Sequence, residues 1–138
     1  MLCNRNQARP ERSHILIIDD EELIRRMLRD FLEGYGYSVC IAGDGKQALR
    51  LFEHYHADLI ITDILMPEKD GLEVLTAVRQ RWPHIPVIAI TGGSVHLTPH
   101  ALCHTAHVLG ATRVFSKPVD LQELLLTVQQ LLQSAQTG

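Results

Sequence analysis

An α/β fold, with one parallel sheet and helices packed on both of its faces, is the architecture this sequence predicts. Three observations predict it. Five short apolar runs alternate with stretches whose apolar residues recur at helical spacing. The runs are apolar at nearly every position, as strands are when both faces of a sheet are covered. Each connecting stretch is also long enough for the crossover that parallel neighbours need.

Residues 1–13 form a polar arm carrying Arg5, Arg9 and Arg12, expected to be flexible and solvated. "HILIID", from His14, is the first strand. Leu23, Ile24, Met27, Leu28, Phe31 and Leu32 then repeat at helical spacing, with Arg25, Arg26, Arg29 and Glu33 off the stripe. "GYGY" ends that helix. "SVCIA" is the second strand and "GDG" a turn. Ala48, Leu51, Phe52 and Tyr55 mark a second helical face. "DLIITD" is the third strand and "MPEKDG" a loop; Leu72, Leu75, Val78 and Trp82 mark the third helix. Pro83 and Pro86 bracket its exit. "PVIAIT" is the fourth strand, a helical stretch covers about 99–109, and "TRVFSKP" is the fifth strand. Leu121, Leu124, Leu125, Val128, Leu131 and Leu132 form the stripe of the last helix, with Asp120 and Glu123 spaced like a capping box. One ordered domain is expected over 14–132, with 133–138 as a tail.

The chain has 138 residues, enough for one real core. Its 46% apolar and 21% charged residues are a globular composition. A net charge of -3 gives no general attraction to nucleic acid or anionic membrane. No apolar run approaches the ~18 residues of a membrane span, and the opening residues lack the apolar core of a signal peptide. Cys3, Cys40 and Cys103 have no framework spacing. These features point to a reduced, cytoplasmic setting, with no direct nucleic-acid or membrane partner.

In sheets of this kind ligands gather beyond the carboxyl ends of the strands. Strand one ends in Asp19-Asp20, followed by Glu21. Strand three ends in Asp63, strand four in Thr91-Gly92-Gly93, and strand five in Ser116-Lys117-Pro118. Carboxylates, a hydroxyl and an ammonium therefore converge on one edge. Two like unit charges ~4 Å apart cost about 4 kcal/mol at an effective dielectric of ~20. Lys117 supplies one compensating charge, and a hard divalent cation would supply more. Mg²⁺ is typically held by one or two carboxylates plus waters and a phosphate. The set suits Mg²⁺-assisted phosphoryl chemistry. Asp63 would be the nucleophile, Asp19 and Asp20 would hold the metal, and Lys117 and Thr91 would bind phosphoryl oxygens.

"IIDDEE", "IITDILMPEKDG", "IAITGG" and "VFSKP" together resemble the receiver domain of two-component response regulators, over roughly residues 14 to 132. The resemblance implies a flavodoxin-like fold with strand order 2-1-3-4-5. It implies phosphorylation by a sensor histidine kinase or a histidine phosphotransfer protein, and an unidentified downstream protein partner. Asp63 matches the phosphoacceptor. Asp19, Asp20, Asp63 and the backbone carbonyl of Leu65 match the Mg²⁺ ligands. Lys117 matches the lysine of the family, and Thr91 the hydroxyl that senses phosphate. Lys117-Pro118 is the candidate cis bond. The expected product is a stand-alone receiver, not a conventional enzyme, that catalyses only its own aspartyl phosphorylation and dephosphorylation.

Two features depart from the family pattern. The switch position three residues before the lysine, usually aromatic, is Val114, and alternation sends its neighbour Phe115 to the other face, where core packing is expected. The stretch between threonine and lysine looks longer, and carries His96, His100, Cys103, His104 and His107. These point in two directions on a helix, so a solvated polar face is expected rather than a metal centre. Other classes fit less well. A phosphatase of the haloacid-dehalogenase kind would need an acid where Leu65 stands. A flavodoxin relative would need a hydroxyl-rich first loop where "DDEE" stands. A receiver used only for binding remains a third alternative.

Overall fold

The computed structural model describes residues 13–64, 71–92 and 110–137. Within them the elements are β1 (His14–Ile18), α1 (Glu22–Glu33), β2 (Ser38–Ala42), α2 (Gly45–Phe52), β3 (Leu59–Asp63), α3 (Gly71–Arg81), β4 (Val87–Thr91), β5 (Arg113–Ser116) and α4 (Leu121–Thr137). The five strands form one sheet in the order β2-β1-β3-β4-β5. Every neighbouring pair is parallel. The predicted flavodoxin-like order is therefore the order observed. The predicted helical stretch at 99–109 lies outside the described residues.

Alternation along the strands divides the core in two. Leu16, Ile18, Cys40, Ala42, Ile60, Val87 and Ala89 face one side, where Ala48 and Phe52 of α2 and Leu75 and Val78 of α3 cover them. Ile15, Ile17, Val39, Ile41, Leu59, Ile61, Ile88 and Ile90 face the other, under Leu28 and Leu32 of α1 and Leu124, Leu125, Val128 and Leu132 of α4. Both faces are thus sealed. This is why the strands carry apolar residues at most positions rather than at every second one.

The helices depart from the sequence expectation in detail. Of the six apolar residues on the α1 stripe, only Leu28 and Leu32 are buried. Ile24 and Phe31 pack partly against the core, whereas Leu23 is 79% exposed and Met27 42%. A helix lying on a flat sheet buries a narrow strip, and the outer members of a wide apolar arc remain in water. Tyr55 follows the spacing of α2 but lies beyond its end. It is nonetheless buried, its hydroxyl donating to the Ser38 carbonyl at 3.1 Å. Trp82 lies one residue past α3 and stacks on Phe52, ring centroids 3.9 Å apart. Asp120 accepts from the backbone N–H groups of Gln122 and Glu123, at 3.0 and 3.1 Å, and so caps α4. Cys40 is fully buried in β2 and is disulfide-bonded, where the sequence suggested a reduced thiol.

The two halves of the α1 stripe should separate experimentally. Leu28→Ala leaves a cavity in the core and should cost about 2–5 kcal/mol. Leu23→Ala, five residues earlier, should stay within about 0.5 kcal/mol. Urea unfolding of both variants measures this, and equal losses would contradict the packing of α1.

Candidate functional site

Parallel pairing carries the ends of the strands to a common edge. Ile18 pairs with Thr62, so Asp19 and Asp63 each follow one residue beyond that pair. Thr91 pairs with Ser116 on the other side. Lys117 comes next, its backbone N–H donating to the Thr91 carbonyl at 2.8 Å. The sheet therefore brings Asp19, Asp20, Asp63, Thr91 and Lys117 to one edge, although they are far apart in the chain.

Asp63 is only 2% exposed. A buried carboxylate needs a partner, and Lys117 provides it, its Nζ donating to Asp63 Oδ2 at 2.9 Å. The same Nζ lies 3.6 Å from Glu21 Oε1. Burial pulls the Lys117 pKa down, but the Asp63 hydrogen bond and the charges of Asp63, Asp19 and Glu21 outweigh it and hold it above the ordinary lysine value. A Cβ at Gly92 would meet Lys117 Cδ at 3.4 Å. That glycine therefore borders the lysine stem.

Asp19 is 1% exposed and held on three sides. Its N–H donates to the Ala42 carbonyl at 3.1 Å. Its Oδ1 accepts from the Glu21 N–H at 2.8 Å. Its carbonyl accepts from Arg25 Nη1 at 2.6 Å. Burial raises its pKa to about 6, and the negative charges of Asp63 and Asp20 add to that; the Glu21 N–H and Lys117 oppose it. Asp20 and Glu21 are exposed beside it, and one carboxylate oxygen from each of the three lies within 4.8 Å of the others. This is a set of hard oxygen donors carrying more negative charge than Lys117 offsets. Its chemistry fits a small divalent cation.

Thr91 is fully buried at the end of β4. Val114 lies within β5, against the core face covered by α2 and α3, while Phe115 packs against the opposite face. Leu65, Gly93 and the histidines from His96 to His107 fall outside the described residues. The sequence missed two contacts. Glu21 pairs with Lys117, and Arg25, expected as a surface charge, turns inward to the Asp19 carbonyl. The one available signal for Arg25 was its place on the first helix, one turn past the acidic loop.

A family model described as the response regulator receiver domain matches residues 15–129. The regulatory protein AtoC of Escherichia coli (strain K12) is 40% identical over 123 residues, 88% of this chain and 25% of that protein. The probable transcriptional regulator ycf27 of Cyanidium caldarium is 36% identical over 132 residues, 96% of this chain and 51% of that protein. The chain thus spans between a quarter and about half the length of these relatives. Among solved structures, the CheY-like receiver domain protein from Methanospirillum hungatei JF-1 superposes with a TM-score of 0.83 at 27% identity, covering 92% of this chain and 98% of that one. The signal receiver domain of an HD domain-containing protein from Pseudomonas fluorescens Pf-5 also gives 0.83, at 33% identity, over 93% of this chain and all of the other. Among the described residues no helix is long and apolar enough to cross a membrane. With its motifs, strand order and acidic edge in agreement, the chain belongs to the response regulator receiver domain family of two-component signalling.

Proposed function

We propose that Asp63 accepts a phosphoryl group from a sensor histidine kinase or a histidine phosphotransfer protein, and that the change alters binding to a downstream protein. The observation that carries this is the buried Asp63 carboxylate, aimed by the end of β3 and held by Lys117 at 2.9 Å. In the transfer, an Asp63 oxygen attacks phosphorus. The new O–P bond forms as the P–N bond to the donor histidine breaks, and the imidazole leaves with the electron pair. The Lys117 ammonium then follows the negative charge from the carboxylate to a phosphoryl oxygen. The Thr91 hydroxyl, next to Lys117 on the same edge, donates to another. Hydrolysis by water restores the carboxylate, so the chain acts on itself and turns over no separate substrate.

Asp19, Asp20 and Asp63, with the Leu65 carbonyl, would hold Mg²⁺. Bound there, the ion supplies positive charge that offsets the carboxylates and the incoming phosphoryl oxygens. Docking of the phosphodonor fits α1, which begins two residues after Asp20. Leu23 and Met27 lie one turn apart and both are exposed. They offer an apolar ridge, rimmed by the exposed Arg26–Glu22 pair at 3.1 Å. The working unit is the stretch 14–132, and its place is the cytoplasm, where such donors present their phosphohistidines.

Acetyl phosphate with Mg²⁺ should add one phosphoryl group to the protein, and Asp63→Asn should abolish it without loss of fold. Intact-mass spectrometry reads both, and unchanged labelling of the Asn variant would remove Asp63 as acceptor. A second prediction follows from Asp19. Its carboxyl binds a proton more tightly folded, with a pKa of about 6, than at the ordinary value of 3.8. The metal-free protein should therefore lose stability through this group as pH rises from about 4 to 6, by about 3 kcal/mol in all. Asp19→Asn removes the effect. In chelator, the stability of the Asn variant relative to wild type should grow across that window, and saturating Mg²⁺ should cancel the gain. Urea unfolding at several pH values tests this; a difference independent of pH would contradict it.

A further inference from the structure

The acidic loop of the site is held through the backbone and side chain of Asp19. All three polar parts of Asp19 are engaged: the N–H by Ala42, the carboxylate by the Glu21 N–H, and the carbonyl by Arg25 Nη1 at 2.6 Å. That carbonyl belongs to the peptide plane joining Asp19 to Asp20, so fixing it fixes the direction in which Asp20 leaves the sheet. Asp20 is exposed, and the plane behind it is its main restraint. Arg25 comes from α1 and is half-buried. It passes beside Gly43, where a Cβ would lie 3.2 Å from Nη1. Gly43 is itself tied down, its N–H donating to Gln47 Oε1 at 2.7 Å. Arg25 thus sits between the loop after β1 and the turn after β2, and holds the first against the second.

We infer that Arg25 is a positioning residue for cation binding: through the Asp19 carbonyl it aims the Asp19–Asp20 pair. This role rests on the phosphoacceptor function proposed above. Two effects of the guanidinium oppose each other. Its positive charge near three carboxylates repels a cation, so charge alone makes its removal strengthen Mg²⁺ binding. Its hydrogen bond orders the ligands, so positioning makes its removal weaken binding. Partners one step behind metal ligands typically carry 10–100-fold in affinity. Arg25 is half-buried, so water screens its charge in part. Positioning should therefore win, and the sign of the change separates the two.

The test is Mg²⁺ affinity by calorimetry on the full chain, beside the Mg²⁺ dependence of labelling by acetyl phosphate. Arg25→Met keeps the stem and deletes donor and charge. It should weaken Mg²⁺ binding about tenfold, and at saturating Mg²⁺ recover most of the labelling rate. Arg25→Lys restores a donor and should return affinity to within about threefold of wild type. Arg25→Gln stands in where the Met variant does not fold, and is held to the same loss. A folded Met or Gln variant that binds Mg²⁺ as tightly as wild type, or more tightly, overturns the inference. So does a Lys variant as weak as the Met variant. Failure of the underlying function is distinct: there wild type itself neither binds Mg²⁺ nor takes label.

Discussion

The contact between Asp63 and Lys117 is the constraint around which the acidic edge of the sheet is arranged. The two residues are 54 apart in the chain and their charged atoms 2.9 Å apart. The Asp63 carboxylate, which is buried at the sheet edge, is not stable alone. An unpaired buried ion costs several kcal/mol, while attraction at ~3 Å returns about 5 kcal/mol at an effective dielectric of ~20. The pair is thus close to balance, which suits a switch. A carboxylate locked too firmly to its lysine would be a poor nucleophile, and one without it would be an unpaired buried charge.

Only a parallel sheet in this order delivers the contact. Asp63 ends β3 and Lys117 follows β5, so the lysine reaches past β4, between them. Its own backbone is tied to Thr91 at the end of β4, and Gly92 borders its stem. The two apolar layers keep the strands rigid behind this edge, so the carboxylates are aimed by the core rather than by a loop. The excess of negative charge there is then a stored demand for a cation. Burial first, and the charges of Asp63 and Asp20 after it, raise the Asp19 pKa at this edge.

The strands were legible in the sequence because burial on both faces leaves few polar positions in them. The edge was legible for the complementary reason: Asp19, Asp63, Thr91 and Lys117 stand where those apolar runs stop. Helix faces were harder to read. Leu23 and Met27 share the periodicity of Leu28 and Leu32 but not their burial, since spacing gives an arc and the sheet decides how much of it to cover. Tyr55 and Trp82 continue a helical rhythm past the ends of α2 and α3 because the core reaches further than the helices do. For Arg25 only its place on the first helix was legible, not its contact. Its partner is a backbone carbonyl, which every residue carries, so no pattern of side chains announces it.

The central claim, that Asp63 and Lys117 stabilise each other and little else depends on the lysine, is tested most directly by a double-mutant cycle. Lys117→Met would be made in wild type and in Asp63→Asn, and the four proteins unfolded in urea at neutral pH with chelator present. The account predicts that Lys117→Met costs about 3–5 kcal/mol when the carboxylate is left behind, and under about 1 kcal/mol when position 63 is already neutral. An equal cost in both backgrounds would show that the lysine holds the fold for some other reason, and would contradict the account.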